Sequence, residues 1–382
     1  MQIEEKKIMF VVPSLRGGGA EKVAATLLDS LAKSDDNLKV IVILLHKEAV
    51  RITRPNIEII CLDVRDAGNI FHPMFKFLRV MYLLARIIRH VRPRTIISFM
   101  DYLNVASIIS TRLSGVRCRV VLTVHTLLAS YMLRYADNYR EKILRRLVLL
   151  TYKRADAIIA VSQGVRDDLV NIFRVAGELV HVVHNPVDID RIRSLSRETV
   201  HEKLFSGEVP VILSAGRLVK EKGFDCLIKS FSRLQQRCNA RLVILGEGNE
   251  EENLRALSRE LGIAEDVILL GYQDNPYKYM KHADIFVLPS RYEGFGIVIV
   301  EAMACGVPVV ATKSYEGIEE IIEDERSGLL VPVADEDALA GAMFRLISYP
   351  EEKKRFIGNA SEKLGKFSAE HILEKYKTVL LG

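Results

Sequence analysis

The sequence predicts an α/β protein of two domains, each a doubly wound parallel sheet. Three observations point there. The chain has 382 residues, more than one hydrophobic core usually serves. Short apolar runs rich in β-branched residues alternate with helical patterns from the first residues onward, the pattern of βαβ units. The alternation lapses once, near the middle, in a polar stretch, and then begins again.

The first series opens with IMFVVPSL, AEKVAATLLDSLAK, KVIVILL and IEIICL. It continues through TIISFM, NVASIISTRL, RVVLTV, a long helix ending near Arg154, AIIAV, GVRDDLVNIF and VHVV. Residues 1–188 are therefore assigned to an N-terminal domain. Ile189 to Glu208, containing RSLSRETVHEK, reads as the inter-domain connection. The second series, within 189–368, runs VILSAG, GFDCLIKSFSRL, ARLVILG, NLRALSREL, DVILLG, IFVLPS, IVIVEAMA, VPVVAT and GLLVP. The last helical stretch, within 369–382, has no partner left in sequence and is expected to pack back on the first domain.

Composition narrows the class. Apolar residues make up 49% and charged residues 27% of the chain, which excludes a disordered protein. The five cysteines have neither CxxC spacing nor a histidine pattern that would hold zinc, so free thiols in a reducing compartment are expected. MQIEEKKIMF carries charges where a signal peptide needs an apolar run, and no stretch of ~18 apolar residues occurs, so a cytoplasmic protein without a spanning helix is predicted. The net charge of +5 hides an asymmetry. Residues 1 to 200 hold about 31 basic and about 20 acidic residues, and the remainder is acidic in balance. Such a surface suits an anionic partner; no nucleic-acid module is recognisable, and none is expected to bind.

In open α/β sheets ligands bind at the carboxyl ends of the strands, so strand-end loops are the places to search. Gly17, Gly18 and Gly19 follow the first strand and precede a helix, where backbone amides can approach a phosphate. The string is neither GxGxxG nor a P-loop, and it equally suits a flexible β-to-α turn. GRLVKEKG places Arg217 and Lys222 at the corresponding strand end of the second domain, two cations that suit a diphosphate, or simply two solvated charges. RYEGFGIVIVEAMACGVPVV carries Glu293 and Glu301. With a helix opening near Phe295 they lie about 12 Å apart, too far for a carboxylate pair that shares one bond, so each would grip a different part of an elongated ligand. Between them Gly294, Phe295 and Gly296 offer backbone amides at the helix start.

These strings together resemble the family-four retaining glycosyltransferases of GT-B fold, whose mark is the Glu-x7-Glu element. PSLRGGGAEKV, RADAIIAVSQGVRDDL, HNPVD, GRLVKEKG, LPSRYEGFGIVIVEAMACGVPVVAT and SGLLVP occur in the expected order. The resemblance implies two Rossmann-like doubly wound domains facing a central cleft. It implies that Arg217 and Lys222 hold the donor diphosphate while the Gly17–Gly19 loop closes over it. Glu301 would bind the ribose and Glu293, with the backbone after it, the transferred sugar. His125, ending RVVLTV, matches a family histidine near sugar and phosphate, although a lone histidine can also be structural. SYEGIEEII aligns only over Glu320 to Ile322, and Asn185-Pro186-Val187-Asp188 replaces a more usual Asn-Gly-Val-Asp.

The resemblance implies no covalent nucleophile, retention by attack on the face the diphosphate leaves, a UDP-sugar donor and no cofactor. Two DxD triplets, Asp188-Ile189-Asp190 and Asp335-Glu336-Asp337, have helix starts as their simpler explanation, so no metal is expected. From His72 to Arg94 there is no acidic residue, and Phe75, Leu78, Met81 and Leu84 mix with Lys76, Arg79, Arg86 and Arg89. With the stretch Tyr139 to Arg154 this suits either a core-facing helix with a charged rim or an anionic membrane surface. The expectation is a peripheral enzyme at the inner face of the cell membrane, acting on a glycan or lipid-linked acceptor. A nucleotide-sugar epimerase and a noncatalytic partner subunit are the alternatives that the same architecture admits.

Overall fold

A computed structural model describes residues 6–15, 18–33, 38–46, 56–64, 72–129, 139–200, 205, 207, 209–314 and 316–382. The chain forms two units, one of residues 1–186 with 369–382, the other of residues 187–368.

The first unit is built on seven strands: β1 (Lys6–Val12), β2 (Leu38–Leu44), β3 (Ile57–Cys61), β4 (Thr95–Phe99), β5 (Arg119–Val124), β6 (Ala157–Ala160) and β7 (Val180–Val182). Their order is β3-β2-β1-β4-β5-β6-β7, and each neighbouring pair is parallel. The strands are apolar runs rather than alternating patterns because helices cover both faces; every residue of β4 and β6 is buried. The helix Gly19–Lys33 buries Ala20, Val23, Ala24, Leu27, Leu28 and Leu31, the three-and-four spacing of one helical face. The helix Ala369–Leu381 packs in this unit, where Thr95 Oγ1 donates to the carbonyl of Leu380 at 2.9 Å.

The helix His72–Val91 resolves the ambiguity its sequence carried. Val80, Met81, Leu84 and Ile88 enter the core with β1, β2 and β4 residues. Phe75, Leu78 and Tyr82, at spacings of three and four, turn outward and are 63%, 48% and 61% exposed. The element is thus core on one side and apolar surface on another.

The second unit holds β8 (Val211–Ala215), β9 (Arg241–Leu245), β10 (Val267–Gly271), β11 (Ile285–Leu288), β12 (Val309–Thr312) and β13 (Leu329–Val331). Their order is β10-β9-β8-β11-β12-β13, again all parallel. In both sheets the order reverses beside the first strand, between β1 and β4 and between β8 and β11. That reversal opens a crevice at the carboxyl ends of those strands.

The stretch read as a connection is partly helical. Ile189–Leu195 forms a helix because Asp188 caps it, its Oδ1 accepting the amide of Arg191 at 3.0 Å. Asp335 likewise caps the helix Glu336–Ser348 by accepting from Ala338 at 2.9 Å, while Glu336 and Asp337 pair with Arg233. Both DxD triplets therefore sit at helix starts. None of the five cysteines is in a disulfide, and among the described residues no helix is long and apolar enough to cross a membrane.

Candidate functional site

In the second unit two loops meet at the reversal point. The loop after β8 carries Arg217 and Lys222, and the loop after β11 carries Ser290, Arg291 and Glu293. The guanidinium of Arg291 forks onto Asp225, at 2.7 Å to each carboxylate oxygen, and donates to the carbonyl of Lys220 at 2.7 Å. Its amide donates to the carbonyl of Glu221 at 2.7 Å. Burial alone raises the Asp225 pKa, but the Arg291 fork together with hydrogen bonds from the Cys226 and Asp225 amides offsets it and leaves the carboxyl below its ordinary value. The loops are therefore clamped to each other.

The clamp needs glycine at its closest approach. Gly223 has φ of +67°, and a Cβ there would stand 2.1 Å from the carbonyl oxygen of Pro289. Gly246, after β9, has φ of +133° and would place a Cβ 1.9 Å from the carbonyl oxygen of Gly216. Neither position admits another residue without moving backbone.

Within this frame Lys222 Nζ contacts Glu293 Oε1 at 2.5 Å, and Ser290 Oγ donates to the same oxygen at 2.8 Å. Both side chains are largely withdrawn from solvent, 22% and 11% exposed. Arg217 lies on the same loop, exposed and without an ion pair among the described residues. The helix beyond Glu293 opens at Ile297, two residues past Phe295, with Gly296 at a left-handed φ of 71° as its cap. The side chain of Phe295 is buried against Phe367, so it offers only backbone to a ligand. Glu301 lies on the helix Ile297–Ala304, 4% exposed, and accepts from Tyr277 Oη at 3.3 Å. An unpaired cation, a Lys–Glu pair and a buried carboxylate thus lie on the segments that follow the adjacent strands β8 and β11. That set can bind a phosphate-bearing ligand and its hydroxyls.

In the first unit His125 follows β5 and stacks on Phe99 with ring centres 5.7 Å apart. A buried network fixes its tautomer. Thr123 Oγ1 donates to the carbonyl of Ser98 at 2.8 Å, so it accepts from Nε2–H of His125 at 3.1 Å. Nδ1 is left as a bare acceptor, buried and without a hydrogen-bond partner, as is Oδ1 of Asn185. Burial pushes the imidazole pKa down to about 4, against a smaller upward pull from Asn185. The ring is neutral at physiological pH and suited to accept from a hydroxyl. Gly18 and Gly19 precede or open the helix Gly19–Lys33; Gly17 lies outside the described residues. A Cβ on Gly18 would stand 3.0 Å from a Glu21 carboxylate oxygen, so this helix start already has a negative group beside it.

Sequence reasoning gave no role to Arg291, Asp225 and Ser290 and named Asn185 only as part of the HNPVD junction. Ser290 and Arg291 had a visible signal, their place just before Glu293 in LPSRYEGFG.

The description Glycosyltransferase Family 4 matches residues 17–191, and Glycosyl transferases group 1 matches residues 196–363. The N-acetylgalactosamine-N,N'-diacetylbacillosaminyl-diphospho-undecaprenol 4-alpha-N-acetylgalactosaminyltransferase of Campylobacter jejuni is 30% identical over 379 residues, covering 99% of this chain and 100% of that one. The chain belongs to the group 1 glycosyltransferases. The structure of this glycosyltransferase aligns with that of Anabaena HepE in complex with UDP-glucose at a TM-score of 0.80 and 20% identity, over 98% and 99% of the two chains. It aligns with WaaG, a glycosyltransferase involved in lipopolysaccharide biosynthesis, at 0.75 and 16% identity, over 98% and 100%. Both likenesses place the glycosyltransferase in the GT-B fold.

Proposed function

We propose that this glycosyltransferase moves a hexose or N-acetylhexosamine from a UDP-sugar, with retention of configuration, to a hydroxyl of a lipid-linked glycan at the inner face of the cell membrane. The observation that carries the donor reading is the clamped loop pair of the second unit, where unpaired Arg217 stands on the same loop as the Lys222–Glu293 pair. The acceptor class is taken from the Campylobacter relative, whose name specifies a diphospho-undecaprenol acceptor.

On this reading a donor diphosphate competes with Glu293 for Lys222 and takes Arg217 as a second cation. The bond from the anomeric carbon to the phosphate oxygen breaks with its electron pair going to the diphosphate, whose charge Arg217 and Lys222 stabilise. The acceptor hydroxyl forms its bond on the vacated face, and its proton passes to a donor phosphate oxygen. Glu293, with the backbone of Gly294, Phe295 and Gly296, holds hydroxyls of the transferred sugar, and Glu301 holds the ribose. His125 contributes its neutral Nδ1 to a sugar hydroxyl. The glycine loop is assigned to the donor by resemblance alone. No metal and no cofactor enter the scheme.

The support for membrane attachment is the outward stripe Phe75, Leu78 and Tyr82, set beside Arg79 and Arg86 on the same helix. An apolar stripe flanked by cations suits an anionic bilayer surface.

The test is transfer from UDP-linked hexoses and N-acetylhexosamines to polyprenyl-diphosphate-linked glycans in vesicles containing chelator, followed by NMR of the new anomeric centre. A product with the donor's anomeric configuration is expected. Release of an altered UDP-sugar without acceptor, or activity only after a divalent metal is restored, would contradict the reading.

A further inference from the structure

One cavity lies at the opposite end of the first unit's sheet from His125. It has a volume of about 730 Å³, and Arg94, Arg112, Arg117, Arg119 and Arg154 line it, with Asp156 as the one acidic side chain and Gly382, whose carboxylate is the other negative group, also in the wall. Its placement follows from topology. Arg94 precedes β4, Arg117 and Arg119 stand at the start of β5, and Arg154 precedes β6. Because β4, β5 and β6 are adjacent and parallel, their amino ends share one edge of the sheet. His125 follows the carboxyl end of β5, so the length of that six-residue strand, roughly 20 Å, separates it from the arginines.

None of the five guanidiniums forms an ion pair among the described residues. The second unit behaves differently, since Arg233, Arg255, Arg291 and Arg345 each contact a carboxylate. Asp156 does not neutralise the cluster, and its Oδ2 is occupied by the amide of Val120 at 2.7 Å. Cys118, also in the wall, has its thiol pKa pushed up to about 11, first by burial, and adds no negative charge. The carboxyl end of the helix Asp101–Ser114 brings about half a negative charge near Arg112, too little to balance the excess. Arg119 is held in place, its Nε donating to the carbonyl of Val379 at 3.1 Å. A concave wall of unpaired planar cations matches the oxygens of phosphate and diphosphate groups, and the volume admits a molecule larger than the bare ion.

We infer that this arginine-lined cavity at the amino edge of β4, β5 and β6 is a binding site for a phosphate- or diphosphate-bearing molecule, separate from the donor loops of the second unit. The inference does not rest on the reading of those loops.

Titration of the full chain with inorganic pyrophosphate tests it, using wild type, Arg112→Glu/Arg117→Glu and Arg217→Ala. All three of the altered side chains are exposed, and a neutral pair, Arg117→Gln/Arg154→Gln, guards against a folding artefact in the charge reversal. The site predicts a binding event that survives Arg217→Ala and weakens at least tenfold in both pairs, with unchanged thermal melting. Absence of pyrophosphate binding in Arg217→Ala, or equal binding in wild type and both pairs, would overturn it. Sedimentation with phosphatidylglycerol and phosphatidylcholine vesicles then separates the sources. Phosphatidylglycerol binding lost in both pairs and displaced by pyrophosphate assigns a lipid headgroup; pyrophosphate binding without that loss assigns a soluble phosphorylated ligand.

Discussion

At the scale of single residues, the hydrogen-bond chain through Thr123 makes His125 a neutral acceptor rather than a cation. Its folded pKa of about 4 lies below the ordinary histidine value of 6.5. The unfolded chain therefore binds more protons between those values, and stability must fall as pH drops from about 6.5 to about 4. His125→Gln should flatten that part of the curve, removing on the order of 2 kcal/mol of the pH-dependent loss. Chemical denaturation of both proteins at pH 7 and pH 4.5 measures it; parallel curves would show that the ring is charged or solvated. Little of this was legible in the sequence, where His125 was visible only as a histidine at a strand end. Its tautomer depends on Ser98 and Thr123, residues on neighbouring strands, and its other face on Asn185. Arg217 and Lys222 were legible as candidates because they follow one short apolar strand, whereas the Arg291–Asp225 fork joins residues 66 positions apart and leaves no local pattern.

At the scale of elements, the loop after β8 is shaped by backbone contacts that only glycine permits. Gly223→Ala combines a left-handed φ with a 2.1 Å approach to the Pro289 carbonyl. It should lower stability by about 1 to 3 kcal/mol or more and weaken nucleotide binding at the same time, read from denaturant midpoints and a binding isotherm. An Ala variant with wild-type values for both would mean that the loop relaxes freely. The helix His72–Val91 carries a separate prediction. Replacing Phe75, Leu78 and Tyr82 by Ser should leave melting nearly unchanged, because exposed side chains seldom contribute beyond ±0.5 kcal/mol each. Binding to anionic vesicles should fall about tenfold, from the lost apolar area. The sequence identified this helix and its basic face but could not separate core from surface. Its apolar residues cover more than one face, and only packing against β1, β2 and β4 shows which are used.

At the scale of the molecule, the α/β class and the two doubly wound domains were legible because parallel strands buried on both faces read as unbroken apolar runs, and the GT-B architecture was legible only through the resemblance carried by the motif strings. TIISFM and AIIAV became β4 and β6 except for their last residues, Met100 and Val161. The weaker point was Ile189–Leu195, whose charged composition concealed a helix fixed by one cap at Asp188. The arginine cavity was also hidden. Arg94, Arg119 and Arg154 are distant in sequence, and they converge only because β4, β5 and β6 enter the sheet side by side. The central claim is that the loops at the β8–β11 reversal bind a UDP-sugar through cations and without metal. Calorimetric titration with UDP, GDP and ADP in chelator, on wild type and Arg217→Ala, tests it most directly. UDP should bind preferentially, and Arg217→Ala should weaken that binding, on the order of 1.5 to 3 kcal/mol for a charge-assisted contact. No nucleotide binding in the wild type, or binding that appears only with added divalent metal, would contradict it.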